Sequence, residues 1–151
     1  MKFRTERVIA SPRDEVFRVF TDLEGAPERI RGIDRMELLT EGPMEEGTRF
    51  RETRTMFGKE ATEEMTVSEF EAGRGYVTLA ESCGARYRAG WTFEDCEGGT
   101  KVIFDFESTP VTLMAKLTSP ILGLFFGRMM KRCLTDDFDD LQKSLESPQI
   151  G

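Results

Sequence analysis

PILGLFFGRMMKRCLTDDFDDLQKSL, from Pro120 to Leu145, is the stretch that the rest of the chain is organised around. Ser119 followed by Pro120 reads as a helix start. A serine oxygen accepts from N–H groups that the first turn leaves free, and proline fits the first helical position. No proline follows until Pro148, so the spacing predicts one helix of 26 residues, about 40 Å long at about 1.5 Å per residue. Met130, Leu134, Phe138, Leu141 and Leu145 recur at steps of three or four and draw one apolar stripe. Toward the N-terminus that stripe meets Gly127 and Gly123 instead of large side chains. A long helix, bulky at one end of its inner face and bare at the other, predicts a space beneath the bare end.

The whole-chain numbers bound what that space belongs to. A chain of 151 residues is long enough for one substantial core and short for two. Twenty-one basic against 28 acidic residues leave a net charge of −7, a field that attracts neither nucleic acid nor anionic lipid. No apolar run reaches the ~18 residues needed to span a bilayer. Met1 to Arg7 meets charge at once and lacks the apolar region of a signal peptide, so a cytoplasmic location is expected. Cys83, Cys96 and Cys133 follow no metal or redox spacing and read as small apolar fillers. Histidine is absent, which removes the commonest general base and zinc ligand. Neither a metal nor a cofactor is expected.

Working outward, Lys2 to Ala10 reads as a strand. Ser11-Pro12-Arg13-Asp14 reads as a capping box opening a short amphipathic helix, with Pro12 at the first helical position. Gly25 ends that helix, and Ala26 to Arg31 can form one more helical turn. From Ile33 to Glu107 the period changes from helical to alternating. Six strands are predicted, at about 33–40, 48–57, 59–70, 75–82, 86–95 and 100–108. The short breaks between them join neighbouring antiparallel strands, so the topology is a meander. Alternation puts Tyr87, Ala89, Trp91 and Phe93 on one face, and likewise Val102, Phe104 and Phe106. It also carries Glu52 and Arg54 inward with Phe50 and Met56, and Glu63 inward with Met65 and Val67.

This pattern resembles the helix-grip fold of the START-like, or SRPBCC, superfamily, which includes polyketide cyclase/dehydrase-like proteins. Val8-Ile9-Ala10-Ser11-Pro12 with Glu15-Val16-Phe17 is similar to the opening signature of that group. Gly47-Thr48-Arg49-Phe50-Arg51-Glu52 is similar to its third-strand motif. Trp91-Thr92-Phe93-Glu94 with Gly98-Gly99-Thr100-Lys101-Val102 is similar to its last hairpin. The resemblance covers nearly the whole chain. It implies a single α+β domain in which a seven-stranded curved antiparallel sheet grips the long C-terminal helix around an apolar cavity. Members bind lipids, sterols, polyketides, hormones or flavonoids, and some fold or dehydrate polyketide chains.

Glu52, Arg54 and Glu63 admit two readings. In one they form a buried polar cluster that must satisfy itself or a ligand, since an unpaired buried charge is costly. The arginine fork then orients a ligand carboxylate or enolate, and a carboxyl of raised pKa moves protons. In the other, which residue type favours, the strand ends are wet and the charges solvated. Tyr76, Tyr87 and Trp91 either line the cavity or pack in the core. Phe50, Met65, Phe104, Phe126, Met130 and Leu134 complete the expected ligand wall. Leu122, Phe125, Phe126 and Met129 lie off the stripe and face a portal, a homodimer partner or, transiently, a membrane. Asp136, Asp137, Asp139 and Asp140 read as a solvated side.

Three functions follow. The first is a protein that binds a hydrophobic or amphipathic small molecule. The second is a cyclase/dehydrase-type enzyme using the same cavity, with Glu52, Arg54 or a tyrosine assisting proton transfer. The third and weaker is a protein-interaction module working through Phe125 and Phe126.

Overall fold

The computed structural model describes residues 1–56, 58–82 and 84–146, without the side chains at 56, 115 and 117–126. Strand β1 (Lys2–Ile9) leads into two short helices, α1 (Arg13–Thr21) and α2 (Ala26–Arg29). Six strands follow: β2 (Ile33–Leu38), β3 (Arg49–Met56), β4 (Lys59–Glu71), β5 (Gly75–Ser82), β6 (Ala85–Cys96) and β7 (Gly99–Pro110). Helix α3 (Leu113–Glu146) closes the chain. The strands form one seven-stranded antiparallel sheet in the order β1-β7-β6-β5-β4-β3-β2. The meander is therefore unbroken from β2 to β7, and β1 pairs with the last strand. Helices α1 and α2 carry the chain from one edge of the sheet to the other.

Two local features shape the sheet. The register of β4 against β5 shifts between Ser68 and Glu71, and Glu69 within that bulge has φ +50°. A non-glycine residue there is strained, and the bulge bends the strand. Glu69 also holds Arg88 of β6, with Oε2 accepting from Nη2 at 2.6 Å. At the β6–β7 turn, a Cβ on Gly99 would fall 2.1 Å from the Ile9 carbonyl oxygen, so only glycine fits. The fully buried Thr100 beside it donates from Oγ1 to the Ser11 carbonyl at 2.7 Å. The Gly98-Gly99-Thr100 stretch thus pins the last hairpin to the start of α1.

The expected capping box is corrected at this point. Pro12 is the N-cap, with no side-chain hydrogen bond, and the helix begins at Arg13. Ser11 holds the region through its backbone instead: its carbonyl accepts from Thr100, and its N–H donates to the Ile9 carbonyl at 2.8 Å. Helix α1 ends at Thr21, and Gly25 is instead the N-cap of α2. The start of the long helix is corrected too. It runs 34 residues from Leu113, so Pro120 lies inside it, not at its first position. Ser-Pro marks a favourable start, but helix continuity on either side overrides that local signal.

The core lies between the concave sheet face and the helices. Val16, Val19 and Phe20 of α1 are buried against an aromatic cluster. Phe20 stands edge-on to Phe93 and Trp91, with ring centroids 5.3 and 5.4 Å apart. Trp91 sits 4.4 Å from Phe104 and 5.6 Å from Phe138. On α3, Leu134, Phe138 and Leu141 are buried and Leu145 half-buried, as the stripe predicts. Val77 and Ile103 are buried as well but stand outside this cluster.

The Phe138 ring packs against Phe20, Trp91 and the Arg7 guanidinium. We expect Phe138→Ala to cost about 3–5 kcal/mol. Asp136→Asn, on the exposed side of the same helix, should stay within about 0.5 kcal/mol. Urea denaturation of the two variants checks this; equal midpoints would contradict the placement of the core.

Candidate functional site

Between sheet and α3 lies a cavity of about 960 Å³, at the upper end of the range for small-molecule sites. One side of its wall is aromatic: Tyr87 and Trp91 from β6, Phe104 and Phe106 from β7. These residues meet in register, with Trp91 opposite Phe104 and Ala89 opposite Phe106. The other side is polar: Glu52 and Arg54 from β3, Glu63 from β4 and Asp137 from α3. Met1, Met36, Met44, Met65, Met114, Met129 and Met130 also line the space; the Met56 side chain lies outside the described residues. Methionine is unbranched and polarizable, so such a wall adapts to guests of different shape.

Arg54 is the centre of the polar side. Its Nη1 and Nη2 donate to Asp137 Oδ1 and Oδ2 at 3.0 and 2.8 Å, a two-pronged grip across to α3. Its Nε donates to Glu52 Oε1 on the same strand. The three side chains are 18, 13 and 16 % exposed for Arg54, Glu52 and Asp137, so the solvated reading of Glu52 and Arg54 is overturned. Burial alone would lower the Arg54 pKa; the charges of Glu52 and Asp137 outweigh it and hold the guanidinium protonated. Burial pushes the Asp137 carboxyl up, against the pull of Arg54 and with a further push from Glu52.

Glu63 stands directly across the register from Glu52. Opposed like charges on neighbouring strands disfavour each other. Burial raises the Glu63 pKa, a hydrogen bond with Ser82 opposes this, and the charge of Glu52 adds to it. Tyr76 is buried, and its hydroxyl donates to the Phe20 carbonyl at 3.4 Å. Burial and, after it, the charge of Glu52 keep it a neutral phenol.

Phe50, Glu52, Arg54, Glu63, Met65, Tyr76, Tyr87, Trp91, Phe104, Met130 and Leu134 all line the cavity. The Phe126 side chain lies outside the described residues, as do those of Leu122 and Phe125. Met129 belongs to the cavity wall. The space expected beneath Gly127 is in part filled: a Cβ there would meet the Met1 sulfur at 2.8 Å. Asp137 is the residue that sequence reasoning missed, and the solvated side assigned to the four aspartates is corrected with it. Asp139 accepts from Arg7 of β1 at 2.6 Å, and Asp140 pairs with Arg31 at 3.0 Å. Three of the four are thus docking points for arginines of the body. The signal was present in the spacing, because Asp137 falls between Leu134 and Leu141 at steps of three and four, on the buried stripe itself.

A profile of the family described as polyketide cyclase/dehydrase and lipid transport matches residues 1–146. The chain belongs to this family. No curated protein matches it in sequence. Among solved structures, this family member is similar to TTHA0849 of Thermus thermophilus, at 18 % identity and TM-score 0.79, covering 96 % of this chain and 97 % of that one. It is similar also to a START superfamily protein of Mycobacterium smegmatis, at 13 % identity and TM-score 0.77, covering 96 and 97 %. A third likeness is to StfQ, a di-domain aromatase/cyclase of the steffimycin biosynthetic pathway. There the identity is 16 % and the TM-score 0.77, over 95 % of this chain and 50 % of StfQ. At these identities the likeness is one of fold, and the helix-grip architecture implied by the sequence is the observed one.

Removing Arg54 leaves Asp137 buried without its partner, so Arg54→Met should cost about 3–5 kcal/mol. The double change Arg54→Met with Asp137→Leu should recover most of that loss in a double-mutant cycle. An additive double variant would contradict the direct coupling.

Glu63 and Asp137 both hold protons more tightly folded than unfolded. Between the ordinary carboxylate value and the raised one, the folded chain binds more protons, so their contribution to stability falls as pH rises through that window. Glu63→Gln should flatten this slope in urea midpoints measured from acid to neutral pH. An unchanged slope would show that Glu63 titrates normally.

Proposed function

We propose that this protein binds a hydrophobic or amphipathic small molecule, of the lipid or polyketide-like kind, in the cavity between sheet and α3. The observation that carries the reading is the cavity itself: about 960 Å³ of largely apolar wall, with a few polar groups gathered at one side. Among the described residues no helix is long and apolar enough to cross a membrane. The reading is of a cytoplasmic carrier or sensor, in which Cys96 and Cys133 stay as thiols outside any disulfide.

A second reading, a cyclase/dehydrase-type enzyme, is favoured by Glu63. A carboxyl of raised pKa that faces an apolar cavity can give a proton to a bound carbonyl oxygen and take one back. The name of the family and the likeness to StfQ support asking the question.

Native mass spectrometry of the purified protein should find a co-purifying apolar molecule, or uptake of one after delipidation. Trp91 is the one tryptophan of the chain and lines the cavity, so its fluorescence should shift on filling and return on extraction. A chain that takes up no apolar compound, with Trp91 unmoved, would end the binding reading. The enzymatic reading requires turnover of a poly-β-keto thioester that falls in Glu63→Gln.

A further inference from the structure

The polar side of the cavity has a definite hydrogen-bonding sense. Three carboxyl groups, Glu52, Glu63 and Asp137, face one guanidinium, Arg54. The donors of Arg54 are directed inward to its own partners: Nε to Glu52, Nη1 and Nη2 to the two oxygens of Asp137. Its fork is therefore committed to α3 and does not orient a ligand carboxylate, the role that the buried-cluster reading of the sequence gave it. Tyr76 directs its hydroxyl to the Phe20 carbonyl. The amino group of Met1 donates to the Ser108 carbonyl, on β7, four strands from β3. A cationic head beside Glu63 would favour its ionised form, and an ionised carboxyl group accepts and does not donate, so what the polar side offers such a guest is acceptor capacity. Glu63 is the member of the set outside the reach of Arg54's hydrogen bonds. It lies half-buried on β4, where the Ser82 hydroxyl bonds it and, with about four lone-pair sites on the carboxylate, leaves acceptor capacity for a guest. The aromatic wall of Trp91, Phe104 and Phe106 lies on the far strands of the same cavity.

We infer that the cavity selects guests with a ring-sized apolar body and a hydrogen-bond-donating head, a primary amine ahead of an alcohol, and turns away carboxylates of the same body. This rests on the binding reading above and names its ligand class. The body stacks against the aromatic wall and the head meets Glu63 and the outer oxygens of the Arg54 network. A carboxylate head would bring a further negative charge to a site that already holds more acid than base, in surroundings where charges are weakly screened.

The matched probes pyrenemethylamine, pyrenemethanol and pyrenecarboxylate differ only in the head, and each reports binding through energy transfer from Trp91. The chain as a whole carries −7, so a general attraction for cations must be separated from the cavity's own. Two controls do this. One is high salt, where screening acts over about 4 Å. The other is Glu97→Gln, which removes the same charge from the exposed β6–β7 turn. We expect the amine to bind roughly tenfold or more tighter than the carboxylate, with the alcohol between, and the order to persist in high salt. Glu63→Gln should narrow the gap severalfold and Glu97→Gln should not. A carboxylate that binds as tightly as the amine overturns the inference and leaves the binding reading standing. So does an equal response of the two variants. Failure of all three probes to bind overturns both.

Discussion

The grip of Arg54 on Asp137 joins the two halves of this molecule across the space they enclose. A guanidinium on β3 reaches the helix with two parallel hydrogen bonds and keeps a third for Glu52 on its own strand. A buried ion pair of this kind is weak evidence of stability, because its desolvation offsets much of its attraction. Its value here is geometric. Well-packed apolar residues in the same places would satisfy the core as well, but they would do so by closing the gap. A polar strut holds sheet and helix at a set distance, and it does not favour collapse. Arg7 with Asp139 and Arg31 with Asp140 flank it, so one turn of α3 is tied to β1, β3 and the segment after α2.

Holding the space open is the harder half of the problem. At about 24 cal/mol per Å³ of cavity, an empty apolar void of about 960 Å³ would cost on the order of 20 kcal/mol. That exceeds the roughly 5–15 kcal/mol by which domains are stable. A space of this size, open on one side to solvent, cannot stay an empty void and is filled from that side. A largely apolar wall makes water a poor occupant, since each buried water needs about three polar partners. The tight packing of the fold lies elsewhere: the Gly99–Ile9 approach, the Thr100 anchor and the buried Phe93 and Phe138 stand outside the cavity lining.

Much of this was legible in the residues. Alternation in β6 and β7 identified the aromatic wall, because a period of two admits no other face for Trp91, Phe93, Phe104 and Phe106. The same rule brought Glu52, Arg54 and Glu63 inward, against the expectation that charges stay wet. The failures have local causes. Ser119-Pro120 satisfies the chemistry of a helix start, and nothing in a sequence window says that the helix had already begun at Leu113. The Asp136–Asp140 cluster has the composition of a solvated face, and composition outweighed phase, although Asp137 sits on the buried stripe. What no reading of spacing supplies is pairing over long separations. Arg54 and Asp137 stand 83 residues apart, and only the closed fold brings them together.

The two sides of the cavity differ in stiffness as well as polarity. On the polar side, Arg54 is bound at three nitrogens and Asp137 at both oxygens, so neither can turn without breaking a charged hydrogen bond. Around the rest, seven methionines supply side chains that change rotamer at little cost. A wall that is rigid where it is charged and soft where it is apolar discriminates between heads more sharply than between bodies. A buried polar group left unpaired is penalised far more than a methylene that fits imperfectly. On that ground, under the proposed binding reading, the head of a guest would weigh more than its length or ring count.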